Sequence, residues 1–416
     1  MIDHLVRTLV RRGLQPLQSG TLTIRDGDEV TRVGGRDRAD LRATITVRTP
    51  RVYRAIAFGG ALGAAESYLR GEWTANDLTA ALRIFAANLP VVDELESWVT
   101  KAINLPSALG HRLKRNSRRG SRRNIREHYD LGNDLFALFL DRTMTYSCAV
   151  FESDDASLEE ASIAKLDRVC RKLELSPNDH VVEIGSGWGS FAIHAAGRYG
   201  CRVTTTTISQ AQYDVAARRI AEAGLSDRVT LLRQDYRTLQ GTYDKLVSIE
   251  MIEAVGAEYM DDYFRVCGRL LTPAGQMLLQ GIIMPEQRFA PYLRSVDFIQ
   301  RHVFPGSALT SVGAMTGSIG RATDFSVNHI EDLSPHYART LRAWRERFLS
   351  RTDEVRALGG YDERFIRLWE YYLAYCEAGF AERCTGVVQM LLTKPACRRG
   401  DVRVAPMVRD ALGVAV

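Results

Sequence analysis

From His180 onward the sequence settles into a rhythm that leaves few folds open. "HVVEIGSGWGS" is an apolar run ending in a glycine turn, "FAIHAAGRYG" has helical spacing closed by Gly200, and "CRVTTTTIS" is a β-branched strand. "QAQYDVAARRIAEAGL" then reads as a helix ending at Gly224, with "DRVTLLRQDY" and "YDKLVSIEMIEAVG" as strands. "YMDDYFRVCGRLLTPAG" follows as a helix stopped by Pro273 and Gly275, and the apolar strand "GQMLLQGIIMPEQ" comes next. Strand and helix alternating over short connections imply a parallel sheet covered on both faces. Such sheets bind ligands at the carboxyl ends of their strands.

At 416 residues the chain is too long for one ordinary core. Residues 1–110 read as a small α+β domain, with strand-like "TLTIRDGDEVTRVGG" and a helical "GALGAAESYLRGEWTANDLTAALRIFAANL" broken at Gly-Glu-Trp. The net charge of +5 concentrates in "HRLKRNSRRGSRRNIREHYD", so 111–126 is a basic linker. It suits an anionic lipid surface better than nucleic acid, since it lacks the interleaved aromatics of a base-stacking platform. A second domain is expected over 127–398, with an aromatic lid at about 285–320 carrying Phe289, Tyr292, Phe298 and Phe304, and a tail at 399–416. Seven scattered cysteines without a CxxC pair argue against a disulfide framework or a zinc site. With no long apolar stretch and a charged N-terminus, the expected location is the cytoplasm.

The glycine turn narrows the ligand. "EIGSGWGS" has GxGxG spacing at Gly185, Gly187 and Gly189, not the GxGxxG of dinucleotide binders, and the second strand lacks their ribose-binding acid. There is no P-loop lysine. Glu183 ahead of the glycines, with Asp235 and Tyr236 ending the third strand, suits an adenosyl ligand bearing positive charge. Gln280 stands out too, an amide with four hydrogen-bonding valences inside an apolar strand.

"EHYDLGNDLFALFLDRTMTYSCAVFE", "VVEIGSGWGSFAIHAA", "TTTTISQAQ", "DYRTLQGTYDKLVSIEMIEAVG" and "RSVDFIQRHVFPG", in this order, resemble the cyclopropane-fatty-acyl-phospholipid synthase family, relatives of the mycolic acid cyclopropane synthases. The resemblance implies a class I methyltransferase fold, a doubly wound, mostly parallel seven-stranded sheet with a helical lid. It implies S-adenosylmethionine as donor and an unsaturated acyl chain of a membrane phospholipid as acceptor, and hence peripheral association with the inner face of the membrane. By position it places Tyr146 and Ser147 beside the methionine moiety, Gly185 and Gly187 beneath it, and Thr207, Ile208 and Gln212 near ribose and adenine. Asp235 and Tyr236 edge the adenine.

The family reaction adds the methyl group to the double bond and closes a ring when a bound bicarbonate ion removes a proton. Glu253, Tyr337 and Cys148 match residues around that ion. Gln280 stands where better-known members have histidine, and it can donate to an anion but cannot change protonation near neutral pH. Glu250 stands where many members have glycine. Ring closure is the expected outcome, with methyl transfer leaving a methylene or methyl branch as its rival. A homodimer is a further expectation, and nucleic acid is not expected as a partner.

Overall fold

The computed structural model describes residues 2–35, 37–94 and 132–402, which form two units. The first comprises residues 1–113, 295–303 and 341–384, and the second 114–294, 304–340 and 385–416. The chain therefore divides differently from the expected 1–110 and 127–398, because two later stretches pack with the N-terminal residues. The basic linker expected at 111–126 lies outside the described residues.

In the first unit, strands β1 (Ser19–Asp26), β2 (Glu29–Gly34), β3 (Asp37–Val47) and β4 (Trp73–Ala75) form one sheet in the order β2-β1-β3-β4. The Gly-Glu-Trp break separates helix Arg51–Leu69 from β4, and a second helix, Leu78–Ala87, follows. The later helix Glu363–Ala381 packs on both. Tyr68 Oη donates to Glu370 Oε2 at 2.7 Å, and Arg38 and Arg83 both pair with Glu382. Phe298, placed in the lid on sequence grounds, is a core residue of this unit, with its ring 4.7 Å from that of Tyr371.

The second unit carries β5 (His180–Ile184), β6 (Arg202–Thr206), β7 (Val229–Leu232), β8 (Tyr243–Ile249), β9 (Leu271–Ile283), β10 (Ser326–Asp332) and β11 (Gly386–Thr393). Their order is β10-β11-β9-β8-β5-β6-β7, parallel from β9 to β7, with β11 antiparallel to β9 and β10 antiparallel to β11. This is the expected seven-stranded, mostly parallel sheet. Two details differ. Helix Met260–Leu270 ends before Pro273, and β9 runs through that proline with a register shift that absorbs it. Residues after Ile249 leave the sheet in short 3-10 turns at Ile252–Ala254 and Ala257–Tyr259 instead of extending the strand.

Strand alternation sorts the core into two clusters. Val182, Leu246, Leu279 and Met390 meet helices Met260–Leu270 and Val312–Ala322 on one face. Val181, Val247, Leu278 and Leu391 meet helices Leu158–Lys172 and Ser190–Tyr199 on the other. By the same period of two, Glu183, Gln280 and Gln389 belong to this second face. Helix Leu158–Lys172, started by a Ser157–Glu160 capping box, lies over it. Lys165 and Lys172, two turns apart, are each only 1% exposed there. Among the described residues no helix is long and apolar enough to cross a membrane.

Candidate active site

The sheet reverses its winding at β5, which has β6 on one side and β8 on the other, so a crevice opens at the carboxyl ends of these strands. Gly185 follows β5 with φ of +99°, and a side chain there would meet Met251 Cγ at 3.2 Å. Gly187, at φ of +51°, faces open space. Both conformations favour glycine. The backbone N–H groups of Gly185 and Ser186 donate to Thr206 O at 3.1 and 2.9 Å, pinning the turn to β6. The segment before it is pinned as well, since Ser190 Oγ donates to Thr143 O at 2.5 Å and Arg219 to the carbonyls of Trp188 and Thr143.

The residues matched to the cofactor collect around this turn. Thr207, Ile208, Asp235 and Tyr236 follow β6 and β7, where Thr207 N donates to Leu232 O at 3.0 Å. Thr207 Oγ1 donates to buried Gln212 Oε1 at 2.9 Å, and Asp235 is held by Arg237 at 2.6 Å. Tyr146 packs edge-on to Phe136 at 5.1 Å. Ser147 is buried and accepts from Lys165 Nζ at 3.0 Å. Glu183 is buried inside the sheet, where Thr205 Oγ1 donates to it at 2.5 Å, and desolvation pushes its carboxyl up to about 7. A bare, open glycine turn, an adjacent helix N-terminus and a buried carboxyl nearby fit a cationic adenosyl ligand.

The second half of the site is built around Glu250, the first residue after β8. Its backbone takes a left-handed φ of +50°, a conformation that costs a non-glycine residue about 1–2 kcal/mol. Its N–H donates to Gln280 O at 2.7 Å. Its carboxylate receives three donors: Gln280 Nε2 at 2.7 Å and Cys148 N at 2.8 Å on Oε1, and Tyr337 Oη at 2.5 Å on Oε2. Burial pushes this carboxyl above its ordinary range, opposed by Tyr337, Cys148 N, Gln280 and the nearby Lys165.

Thus Gln280, Tyr337 and Cys148 do come together, and Glu250 is what they hold. Cys148 contributes its backbone, while its thiol donates to Ala149 O at 3.2 Å and burial pushes it well above its ordinary value, away from any nucleophilic role. Glu253 sits close by with a different environment. Ile282 N donates to its Oε1 at 2.5 Å, its Oε2 is buried without a hydrogen-bond partner, and burial, then Glu250, push its carboxyl up to about 8.

Against known proteins, the family profile described as mycolic acid cyclopropane synthetase matches residues 116–390. The chain belongs to this family. It is 41% identical to the tuberculostearic acid methyltransferase UfaA1 of Mycobacterium tuberculosis over 361 residues, 83% of this chain and 82% of that protein. It is 34% identical to the cyclopropane-fatty-acyl-phospholipid synthase of Escherichia coli, over 88% of this chain and 91% of the relative. The mycolic acid cyclopropane synthase CmaA1, solved with SAH and CTAB, superposes with a TM-score of 0.61 at 32% identity, covering 66% of this chain and 98% of that one. The protein is therefore an S-adenosylmethionine-dependent enzyme that modifies unsaturated fatty acyl chains, by cyclopropanation or methyl branching.

Three buried polar side chains hydrogen-bonded around the site were not picked out by sequence reasoning: Lys165, Lys172 and Gln389. A lysine on an amphipathic helix reads as solvent-facing, and only the tertiary fold reveals that the face carrying Lys165 and Lys172 covers the sheet. A second glutamine inside an apolar strand, Gln389 in "GVVQMLLT", is the one signal that could have paired with Gln280.

Proposed function

We propose that this family member transfers the methyl group of S-adenosylmethionine to the double bond of an unsaturated acyl chain and leaves a methylene branch, with the Glu250 carboxylate as its built-in base. The observation that carries this reading is the triple donation from Gln280, Tyr337 and Cys148 N to Glu250. Together with Glu253, these are the groups the resemblance assigns to bicarbonate. With their hydrogens committed to Glu250, and with that carboxylate already in place, a second anion would meet like charge and no free donor there. Bicarbonate does not fit these residues.

S-Adenosylmethionine, when bound, supplies an electrophilic methyl group on a sulfonium. The alkene π pair forms the new C–C bond, leaving positive charge on the neighbouring carbon. A negative Glu250 faces that charge and stabilises it in a site shielded from water. Either outcome then loses one proton from the new methyl group. Ring closure takes it from the first, secondary cation. Methylene formation takes it after a hydride shift has moved the charge to the methyl-bearing carbon, giving a C=CH2 branch on the open chain. A carboxylate held by three donors and fixed to the backbone takes a proton only where its remaining lone pair points, which gives the cation time to rearrange to its more stable tertiary form. The greater identity to a tuberculostearic acid methyltransferase than to the cyclopropane synthase compared above agrees with this outcome.

The acyl chain is presented within a membrane phospholipid, approached through electrostatic attraction between the basic run 111–126 and anionic headgroups. On this reading the enzyme works peripherally at the inner face of the membrane. Lipids from cells expressing the protein, hydrolysed and examined by proton NMR, test the reading. Resonances of a C=CH2 branch support it, and cyclopropane resonances alone reject it.

A further inference from the structure

The two ends of a glutamine amide have nearly the same size, so Gln280 can turn either a donor or an acceptor toward Glu250. What decides lies farther along the same face of the sheet. Gln389 stands opposite Gln280 in the β9–β11 pair and donates its Nε2 to Gln280 Oε1 at 2.9 Å. Lys172 Nζ donates to Gln389 Oε1 at 2.8 Å and pairs with Glu331 Oε2 at 2.5 Å. All these side-chain amide groups are fully buried. An ammonium can only donate. Gln389 must therefore turn its oxygen to Lys172, which turns its nitrogen to Gln280, and Gln280 in turn presents its own nitrogen to Glu250.

We propose that Lys172 and Gln389 are positioning residues that set the polarity of this relay, so that Gln280 always offers Glu250 a donor. Without the lysine, both amides could rotate together and keep their mutual hydrogen bond, but Gln280 would then point a carbonyl oxygen at a carboxylate. The arrangement rests on the reading of Glu250 as the base. It explains why two neighbouring buried strands carry an amide each, at 280 in β9 and 389 in β11, and why a lysine is drawn inside to reach them. Lys172 is surrounded by Glu331, Arg168, His329 and Arg399, with Arg399 donating to its carbonyl. Burial pushes its ammonium down to about 8, with Glu331 opposing the shift. Glu250 in turn is faced by Tyr337, Cys148, Lys165 and Glu253.

The test uses the full-length protein with Lys172→Met, which removes the donor, and Gln389→Glu, which retains the lysine's partner but offers Gln280 only acceptors. Glu250 is titrated by the infrared C=O stretch of its protonated form, identified by its disappearance in Glu250→Gln, and methyl transfer is measured across the same pH range. Loss of the Gln280 donor should raise the Glu250 midpoint by about one pH unit in each variant. Affinity for S-adenosylmethionine should stay near that of the unaltered protein, and Lys172→Arg should restore the original midpoint. A merely structural role would lower the amount of active protein at every pH without moving the midpoint. An unmoved midpoint in the folded variants overturns the relay, and if Lys172→Met does not fold, Gln389→Glu decides alone. A midpoint that moves while the acid limb of turnover ignores it preserves the relay and rejects Glu250 as the base.

Discussion

Replacing Glu250 by glycine should convert the protein into a bicarbonate-dependent enzyme. The substitution costs the backbone little, because φ of +50° at this position is one that glycine adopts freely. It also empties a seat built for two carboxylate oxygens. Gln280 Nε2, Cys148 N and Tyr337 Oη, now 2.7, 2.8 and 2.5 Å from those oxygens, would each lose that acceptor. Each unsatisfied buried donor costs about 1–3 kcal/mol. A planar anion that meets all three thus recovers on the order of 3–9 kcal/mol before its own ordering entropy is counted. Without such an anion, loss of the base should slow methyl transfer by about 10²–10⁴-fold. The assay is transfer of labelled methyl from S-adenosylmethionine to unsaturated phospholipid vesicles, first in bicarbonate-free buffer under argon and then with bicarbonate added. If Glu250 is the built-in base, the variant is slow and is rescued by bicarbonate, with cyclopropane appearing among the products. A Glu250→Gly protein that keeps its full rate in bicarbonate-free buffer would refute it.

Other outcomes follow from the same geometry. Tyr337→Phe removes the donor on Glu250 Oε2, so the Glu250 carboxyl should rise further and the acid limb of the rate profile move up by about one pH unit, read from initial rates between mildly acidic and neutral pH. Glu253 holds a proton in the folded state up to about pH 8 that the unfolded chain has lost. Its contribution is thus fully present below the ordinary carboxylate value and declines as pH rises toward 8, so Glu253→Gln should flatten that decline in urea-unfolding midpoints. Binding to anionic vesicles should weaken steeply as salt is raised from about 0.1 to 1 M, where the screening length falls from ~10 to ~3 Å. Salt-insensitive co-sedimentation would remove the electrostatic part of the membrane proposal.

Much of the fold could be read from residues 180–283, because an apolar run, a glycine turn and a capped helix repeat at intervals that only a wound sheet satisfies. The cofactor turn was legible for a similar reason, since Gly185 and Gly187 are required by local backbone geometry. The heart of the site was not. Glu250 fell inside a stretch read as strand, and its partners come from positions 102, 30 and 87 residues away, which no local pattern encodes. Lys165 and Lys172 were hidden by the assumption that lysine seeks water, which fails where a carboxylate or an amide network repays the desolvation. Pro273 suggested a break, yet it sits inside β9 where the register shifts. The division into units was equally out of reach, because residues 341–384 are helices whose apolar faces do not name their partner.

The most direct test of the account is one reaction: purified protein, S-adenosylmethionine and vesicles of a monounsaturated phospholipid, stripped of bicarbonate, with the acyl products resolved by proton NMR. We predict turnover at the rate seen with bicarbonate present and a methylene-branched acyl chain as the product. Turnover that appears only when bicarbonate is supplied, yielding cyclopropane alone, would contradict the assignment of Glu250 as the built-in base.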